Sequence, residues 1–332
     1  MSIPPLMRAV VWHGPDDLRV ENRPTPPLRP GTSIVRVTTA GICATDRELT
    51  SGRLDGVAPG VVPGHEITGE LVATSNGSRL ELGDRVVVDT VCGCGQCAPC
   101  IRGAPSKCVS PGELGFTADG GWAEYVRVET QRLHRVPDSL PSNEAVLAEP
   151  FAIPLGALLD CNEPISGRRL LVVGDGMAAF AFASAAFALK AGHVDVCLRH
   201  EELTSLFQTI NENIHLVTGD LVEPRLADIS VDTVGRSASI RTVLSGTRNR
   251  GLTICYGLAD AVVQDFPLSE VVLRNLRISG HTNPRRVWPT LIGLLKDGAL
   301  RTEGLVDRIV TLDDVPDVVT KWTRSFKTVI EF

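Results

Sequence analysis

Cys94, Cys97, Cys100 and Cys108 form the pattern C-x2-C-x2-C-x7-C within one short stretch of the chain. Thiolates at this spacing suit tetrahedral zinc, because four soft sulfur ligands close around the ion and leave no position open. A closed site is structural. Its metal would contribute on the order of 10 kcal/mol to a loop with no core of its own. A pair of disulfides or a group of loose thiols is the alternative reading, and Cys92 stands beside the set as a spare thiol or displaced ligand. A different donor set is scattered elsewhere: Cys43 in G-I-C-A-T-D, His65 and Glu66 in P-G-H-E, and Glu149 in A-E-P. Zinc held by Cys, His and a carboxylate keeps a place for water or a substrate oxygen, so this combination can do chemistry that four cysteines cannot. Taken singly, each residue reads as an ordinary core or surface group.

A third constellation reads Gly174-Asp175-Gly176-Met177-Ala178-Ala179, a G-x-G-x-x-A pattern between an apolar strand and a helix. Its glycines permit a tight turn and close approach of a pyrophosphate to the helix N-terminus, and a small residue at Ala179 lets helix and strand pack. Asp175 is an awkward neighbour for a pyrophosphate unless its side chain turns away. The acid that usually meets the adenosine ribose of NAD is missing where the chain reads Cys197-Leu198-Arg199-His200. Arg199 and His200 suit a 2'-phosphate, which points to NADP over NAD. Glu201 or Glu202 serving the ribose is the alternative.

Two kinds of framework are needed to position these groups. To about Pro150 the chain is rich in short Val, Thr and Ile runs broken by Gly and Pro, at residues 9–12, 33–39, 67–73, 85–90 and 123–128, which read as strands of an irregular β-rich region. Beyond Pro154 the pattern changes to strand, glycine turn, apolar helix and strand over residues 170–198. Further apolar strands at 214–217, 231–234, 252–256 and 276–279 continue it as a mostly parallel, doubly wound sheet. A helix is expected at 287–297 and a strand at 328–332. The fold class is therefore α/β. The expected organisation is a zinc domain of residues 1–150 and 285–332 around a dinucleotide-binding domain of residues 151–284.

With 332 residues the chain exceeds what one core usually covers, which agrees with two domains. Its 43% hydrophobic residues supply enough apolar surface for both. A formal charge of −6 offers no basic face to nucleic acid or an anionic membrane, and Arg102 with Lys107 do not make the cysteine loop a nucleic-acid zinc ribbon. The longest apolar stretch, Met177 to Leu189, is shorter than the roughly 20 residues of a bilayer span. No secretory signal is visible in residues 1–8, and a cytoplasmic location is expected. His13, His134, His193, His215 and His281 have no motif around them and read as surface or packing residues.

In motif order over nearly the whole chain, Gly41 to Asp46, Pro63 to Gly69, Gly83 to Val86, the four-cysteine loop and Gly120 to Tyr125 resemble the zinc-dependent medium-chain alcohol and polyol dehydrogenases. The resemblance implies a GroES-like catalytic domain, a Rossmann nucleotide domain, and the C-terminal segment returning to the first. It further implies two Zn2+ per chain and NAD(P)(H). Cys43 and His65 take the place of the family's catalytic zinc ligands, with Glu66 and Glu149 as carboxylates that ligate directly or exchange through water. A carboxylate at Glu149, where alcohol dehydrogenases often have a cysteine, resembles the polyol, sugar and cyclitol branch. Thr45 matches the hydroxyl that bonds the substrate alcohol. Asp46 matches a residue steadying the ligand loop. Glu48 stands where many members have a relay histidine, so it either carries a proton or faces solvent.

The activity implied is hydride transfer between a secondary alcohol and a nicotinamide cofactor, in a small-molecule enzyme that forms a homo-oligomer, dimer or tetramer. The cofactor would lie on Gly174, Gly176, Met177, Ala179, Leu198, Arg199 and His200. A cleft between the two domains is expected, with Trp122, Arg47 and Glu48 as candidate wall residues. An NADPH-dependent carbonyl reductase and a noncatalytic, zinc-stabilised nucleotide-binding protein are the rival readings.

Overall fold

The computed structural model describes residues 3–54, 56–75, 79–94, 96–102, 108–218, 222–260, 262–282, 287–322 and 325–332. The chain forms two compact units, Met1–Glu149 with Thr302–Phe332, and Pro150–Arg301.

The first unit is built on a seven-stranded sheet. Its order is Arg308–Val310, Thr328–Glu331, Thr32–Ile42, Ile67–Thr74, Arg85–Val88 and Leu133–Arg135, with Tyr125–Glu129 also pairing to Thr32–Ile42. The strands expected from the Val/Thr/Ile runs are all present. A hairpin of Leu6–Gly14 and Asp17–Pro24 lies beside them, its turn taken by Asp16 at φ 58°. Thr32–Ile42 is buried along most of its length, as a strand paired on both sides must be. Its core partners include Leu49, Ile67, Trp122 and Ile330, each at most 1% exposed. Thr328–Glu331 pairs antiparallel with the same central strand, so a segment from far along the chain completes this sheet.

The second unit holds a six-stranded parallel sheet made of Arg169–Val173, His193–Cys197, Ile214–Val217, Ala227–Asp232, Thr247–Cys255 and Arg277–Gly280. Counted in chain order within the unit, the strands lie 3-2-1-4-5-6, the doubly wound order of dinucleotide-binding sheets. The helix Met177–Ala188 follows the first strand, and residues Ala179 through Ala186 are all buried. It stops short of the expected residue 190, because Lys190 takes up a left-handed conformation at φ 64°. The helix Trp288–Lys296, which the sequence placed with the returning segment, lies in this second unit and buries Trp288, Leu291 and Leu295. The return begins instead at Thr302, whose hydroxyl donates to the Glu144 carboxylate at 2.5 Å. No helix among the described residues is long and apolar enough to cross a membrane.

Candidate functional site

The seven-residue helix Ala44–Thr50 is capped by Cys43 itself. The Cys43 sulfur accepts the amide of Thr45 at 3.2 Å, and the Cys43 amide donates to Asp46 Oδ2 at 2.9 Å. A reciprocal cap of this kind fixes the thiol at the point where chain leaves sheet for helix. Across from it, Cys43 Sγ lies 3.3 Å from His65 Nε2. Zinc bonds of 2.0–2.3 Å at a tetrahedral angle place sulfur and nitrogen about 3.5 Å apart, so these two atoms sit at coordination spacing. On the far side of the ring, His65 Nδ1 is 3.2 Å from Asp46 Oδ1, an ion-pair distance without hydrogen-bond alignment. Asp46 is fully buried, and the Phe116 ring packs tilted against the imidazole with centroids 5.3 Å apart, so the ring has little freedom to turn.

Glu66 joins Cys43 and His65 in a set of donor atoms that all lie within 4.8 Å of one another. Its carboxylate is also held by Lys327, which comes from the segment that completes the sheet. The Lys327 amine donates to Glu66 Oε1, leaving Oε2 without an aligned hydrogen bond. Both side chains are at most 3% exposed. Gly41 makes room for this carboxylate, since a Cβ there would run into Glu66 Oε2. The Gly41 carbonyl in turn accepts from Trp122 Nε1 at 3.0 Å. Sequence reasoning missed Lys327, and the available signal was a lysine entering an apolar terminal strand.

Electrostatically the pocket calls for a cation. Burial alone would lower the His65 pKa, yet the Asp46 carboxylate and Cys43 raise it well above the ordinary imidazole value. Burial favours the neutral amine of Lys327, but Glu66, Cys43 and Asp46 hold its pKa above the usual lysine range. Glu149, in the first turn of the helix Ala148–Asp160, lies outside the close donor set yet belongs to the same field. Burial, with Glu66 and Glu113 adding to it against His65 and Lys327, pushes its pKa up to about 8. Glu113, another residue the motifs did not single out, is likewise raised by burial. A thiol and an imidazole at coordination spacing, with the buried carboxylate of Glu66 beside them, fit a bound zinc ion.

The other residues expected here are placed as follows. Thr45 is exposed in the first helical turn, next to the Cys43 sulfur. Glu48 is engaged by Arg53, which donates to its two oxygens at 2.5 and 2.8 Å. Arg47 lies over the Trp322 ring at 5.7 Å. Trp122, expected on a cleft wall, is instead fully buried and supports the Gly41 backbone from beneath.

In the four-cysteine loop, Cys97 Sγ and Cys108 Sγ are 3.8 Å apart. A disulfide needs about 2.05 Å, whereas four zinc bonds of about 2.3 Å place sulfurs about 3.8 Å apart. Amides of Cys94 and Ser110 point at Cys108 Sγ at 3.2 and 3.4 Å, and that of Cys97 points at Cys94 Sγ at 3.4 Å. Amide donation from Cys100 and Val109 lowers the Cys97 pKa to about 6, and that of Cys108 is lowered by the Cys94 amide. None of the eight cysteines whose side chains are described forms a disulfide. The Cys92 side chain and Lys107 lie outside the described residues.

In the second unit, Gly174 ends the first strand at φ 136°, where a Cβ would strike Thr233 Oγ1, so no other residue fits without strain. Gly176 caps the helix Met177–Ala188, and Ala179 is fully buried behind it. The Asp175 carboxylate is paired with His200 Nδ1, so its charge has a partner at the end of the second strand. Leu198 is buried and Arg199 exposed beside it.

Residues 29–138 match the alcohol dehydrogenase GroES-like domain family. The chain is 27% identical over 344 residues to sorbitol dehydrogenase of Bacillus subtilis (strain 168), with 96% of this chain and 94% of that protein covered. It is 28% identical over 328 residues to erythritol/L-threitol dehydrogenase of Mycolicibacterium smegmatis, covering 90% and 89%. Its fold superposes with a TM-score of 0.90 on a zinc-binding dehydrogenase from Sinorhizobium meliloti 1021 bound to NADP, at 24% identity over 98% of this chain and 99% of that one. With a GroES-like first unit, a doubly wound second unit and sorbitol and erythritol/L-threitol dehydrogenases similar over nearly its whole length, the chain resembles the zinc-containing medium-chain alcohol/polyol dehydrogenases throughout.

Proposed function

We propose that this protein transfers hydride between a secondary alcohol of the polyol, sugar or cyclitol class and a nicotinamide cofactor. The observation that carries the reading is the set of half-buried Cys43 with buried His65 and Glu66, mixed donors of the kind an open zinc site uses. Relatives named for sorbitol and for erythritol or L-threitol support polyols as the substrate class. Cys43 and His65 would hold the metal, with Glu66 and Glu149 as carboxylates able to join or leave its coordination. Once bound, zinc supplies Lewis acidity toward the substrate oxygen, and the nicotinamide ring accepts the hydride.

The remaining roles fall to the chain itself. Asp46 orients the His65 ring through Nδ1, and Lys327 restrains Glu66. The Thr45 hydroxyl, exposed beside the Cys43 sulfur, would accept the hydrogen bond of the substrate hydroxyl and pass its own proton to solvent as the substrate's proton arrives. Glu48 is committed to Arg53, so onward proton movement through it requires that pair to open. Gly174, Gly176, Met177 and Ala179 would receive the pyrophosphate. Arg199 and His200, beside Leu198, would receive the adenosine end, favouring NADP over NAD.

A homo-oligomer is part of the same reading. The strand Arg277–Gly280 ends the six-stranded sheet, and Leu258, Val272 and Leu273 are 83%, 65% and 81% exposed in the segments before it. An open sheet edge with an apolar surround favours pairing with a second copy.

Metal content per chain, combined with turnover of a panel of polyols, sugars and cyclitols with NAD and NADP, tests the proposal. Two zinc ions with cofactor reduction are expected. One zinc and no turnover with any alcohol or carbonyl would reduce the first unit to a structural metal domain.

A further inference from the structure

The second unit carries a group of titratable side chains that neither the cofactor loop nor the first unit's sites use. His193 and Asp195 are two residues apart on the strand His193–Cys197, and therefore share one face of the sheet. In the parallel register Asp195 stands opposite His215 on one neighbouring strand, while His193 stands opposite Arg169 on the other. All four side chains meet there. Arg169 starts the strand whose other end leads into Gly174, so the cluster lies toward the opposite end of the sheet from the cofactor loop.

His193 Nε2 and His215 Nδ1 both point at one oxygen, Asp195 Oδ1, at 2.9 and 2.7 Å. Their rings are 5.8 Å apart. Arg169 takes the other carboxylate oxygen through Nε at 2.8 Å and reaches Oδ1 only at 3.3 Å. It also lies 3.7 Å from Glu223, so one guanidinium is shared between two carboxylates and the group keeps a surplus negative charge when both imidazoles are neutral. The Asp195 side chain is 9% exposed, whereas those of His193 and His215 are 39% and 57% exposed. A buried anionic anchor is thus reached through two imidazoles that solvent can touch.

We propose that His193, Asp195 and His215 form a binding site for a divalent transition-metal ion of the zinc class. Two imidazole nitrogens and a carboxylate oxygen are a donor set such ions favour. Bond lengths of about 2.1 Å at angles between 90° and tetrahedral place neighbouring donors about 3.0 to 3.4 Å apart, a few tenths of an ångström wider than the present spacing. The exposed imidazoles can open by that much without moving the sheet. An incoming ion takes the place of the ring proton that each neutral imidazole turns toward Oδ1, and that proton passes through solvent to the ring's other, solvent-accessible nitrogen, so both imidazoles stay neutral. Surface depressions lie on both sides of His215, one shared with Asp195 and Glu223 and the other with His193 and Glu212, so water can complete the coordination.

The test compares the full chain, already carrying its resident metal, with His193→Ala and His215→Ala. Each is titrated with zinc chloride by calorimetry, with bound zinc counted by mass spectrometry after desalting. The parent should take up one further equivalent, and each variant should bind it about tenfold or more weakly. Thermal midpoints before zinc addition should stay alike, because both rings are partly exposed. The difference between parent and variant isolates this site whatever the first unit holds. No further equivalent in the parent at submillimolar zinc, or equal uptake by all three proteins, would overturn the assignment.

Discussion

Replacing Lys327 by Met removes the ammonium that faces the Glu66 carboxylate while preserving most of the side-chain volume. Lys327 and Glu66 are 3% and 2% exposed, so little water is at hand to solvate the stranded carboxylate. Breaking a buried ion pair from one side costs about 3–5 kcal/mol, most of it the penalty of the charge left behind. With a urea slope of about 2–3 kcal/mol per molar, the first unit's midpoint should fall by about 1 to 2.5 M. Tryptophan emission follows that unit selectively, since Trp12, Trp122 and Trp322 lie in it and only Trp288 lies in the other. The second arm is the double variant Lys327→Met, Glu66→Gln. Neutralising the stranded acid should recover at least half of the loss. A shift below about 0.3 M for Lys327→Met, less than 1 kcal/mol at that slope, would refute the energetic argument. So would a double variant less stable than the single one.

Other outcomes follow from the same geometry. Cys43→Ala and His65→Ala should each abolish alcohol turnover while leaving the circular dichroism spectrum intact, and retained turnover would remove both from the zinc site. Cys97→Ser should halve zinc content and lower solubility, because Cys97 faces Cys108 across the place an ion would fill; unchanged metal content would rule out the four-cysteine site. Burial, reinforced by Arg132, lowers the His134 pKa to about 4, so this ring is neutral in the folded state and charges on unfolding below its ordinary value of 6.5. The stability it contributes is complete above about pH 6.5 and lost as pH falls toward 4, up to about 3 kcal/mol. His134→Gln should flatten that loss in thermal melts, and a slope equal to the parent's would contradict it. Arg199→Ala should raise KM for NADP about tenfold with little change for NAD, whereas equal changes would detach Arg199 from cofactor choice.

What could be read in the sequence was what is local. The spacing of Cys94, Cys97, Cys100 and Cys108 is short enough to dictate its own geometry, and strand, glycine turn and helix around Gly174 carry their signal within a single βαβ unit. Strand periodicity placed both sheets, since burial on a pleated surface selects the Val and Ile runs directly. Long-range partners left no such trace. Nothing near Lys327 announces that it will meet Glu66, and nothing near Glu48 says that Arg53, rather than a proton path, will claim its carboxylate. Trp122 was misplaced on a wall because an indole beside a glycine pair fits a lining and a core equally well, until the Gly41 carbonyl is seen to accept from it. The helix Trp288–Lys296 went to the wrong unit for a similar reason: its apolar stripe shows that it packs, not against what.

The union of Glu66 with Lys327 spans 261 positions of the chain. At about 5–20 residues per second on the ribosome, the carboxylate waits roughly 10 to 50 s for its counter-ion to be made. In that interval Cys43, His65 and Glu66 have already been synthesised, together with the four cysteines, while the central sheet still lacks the strand Thr328–Glu331. The cysteine loop, whose ligands are sequence neighbours, can be metallated while translation continues. The Cys43 site reaches its finished form only after the whole dinucleotide-type sheet has been polymerised, so the two candidate metal sites mature on different clocks.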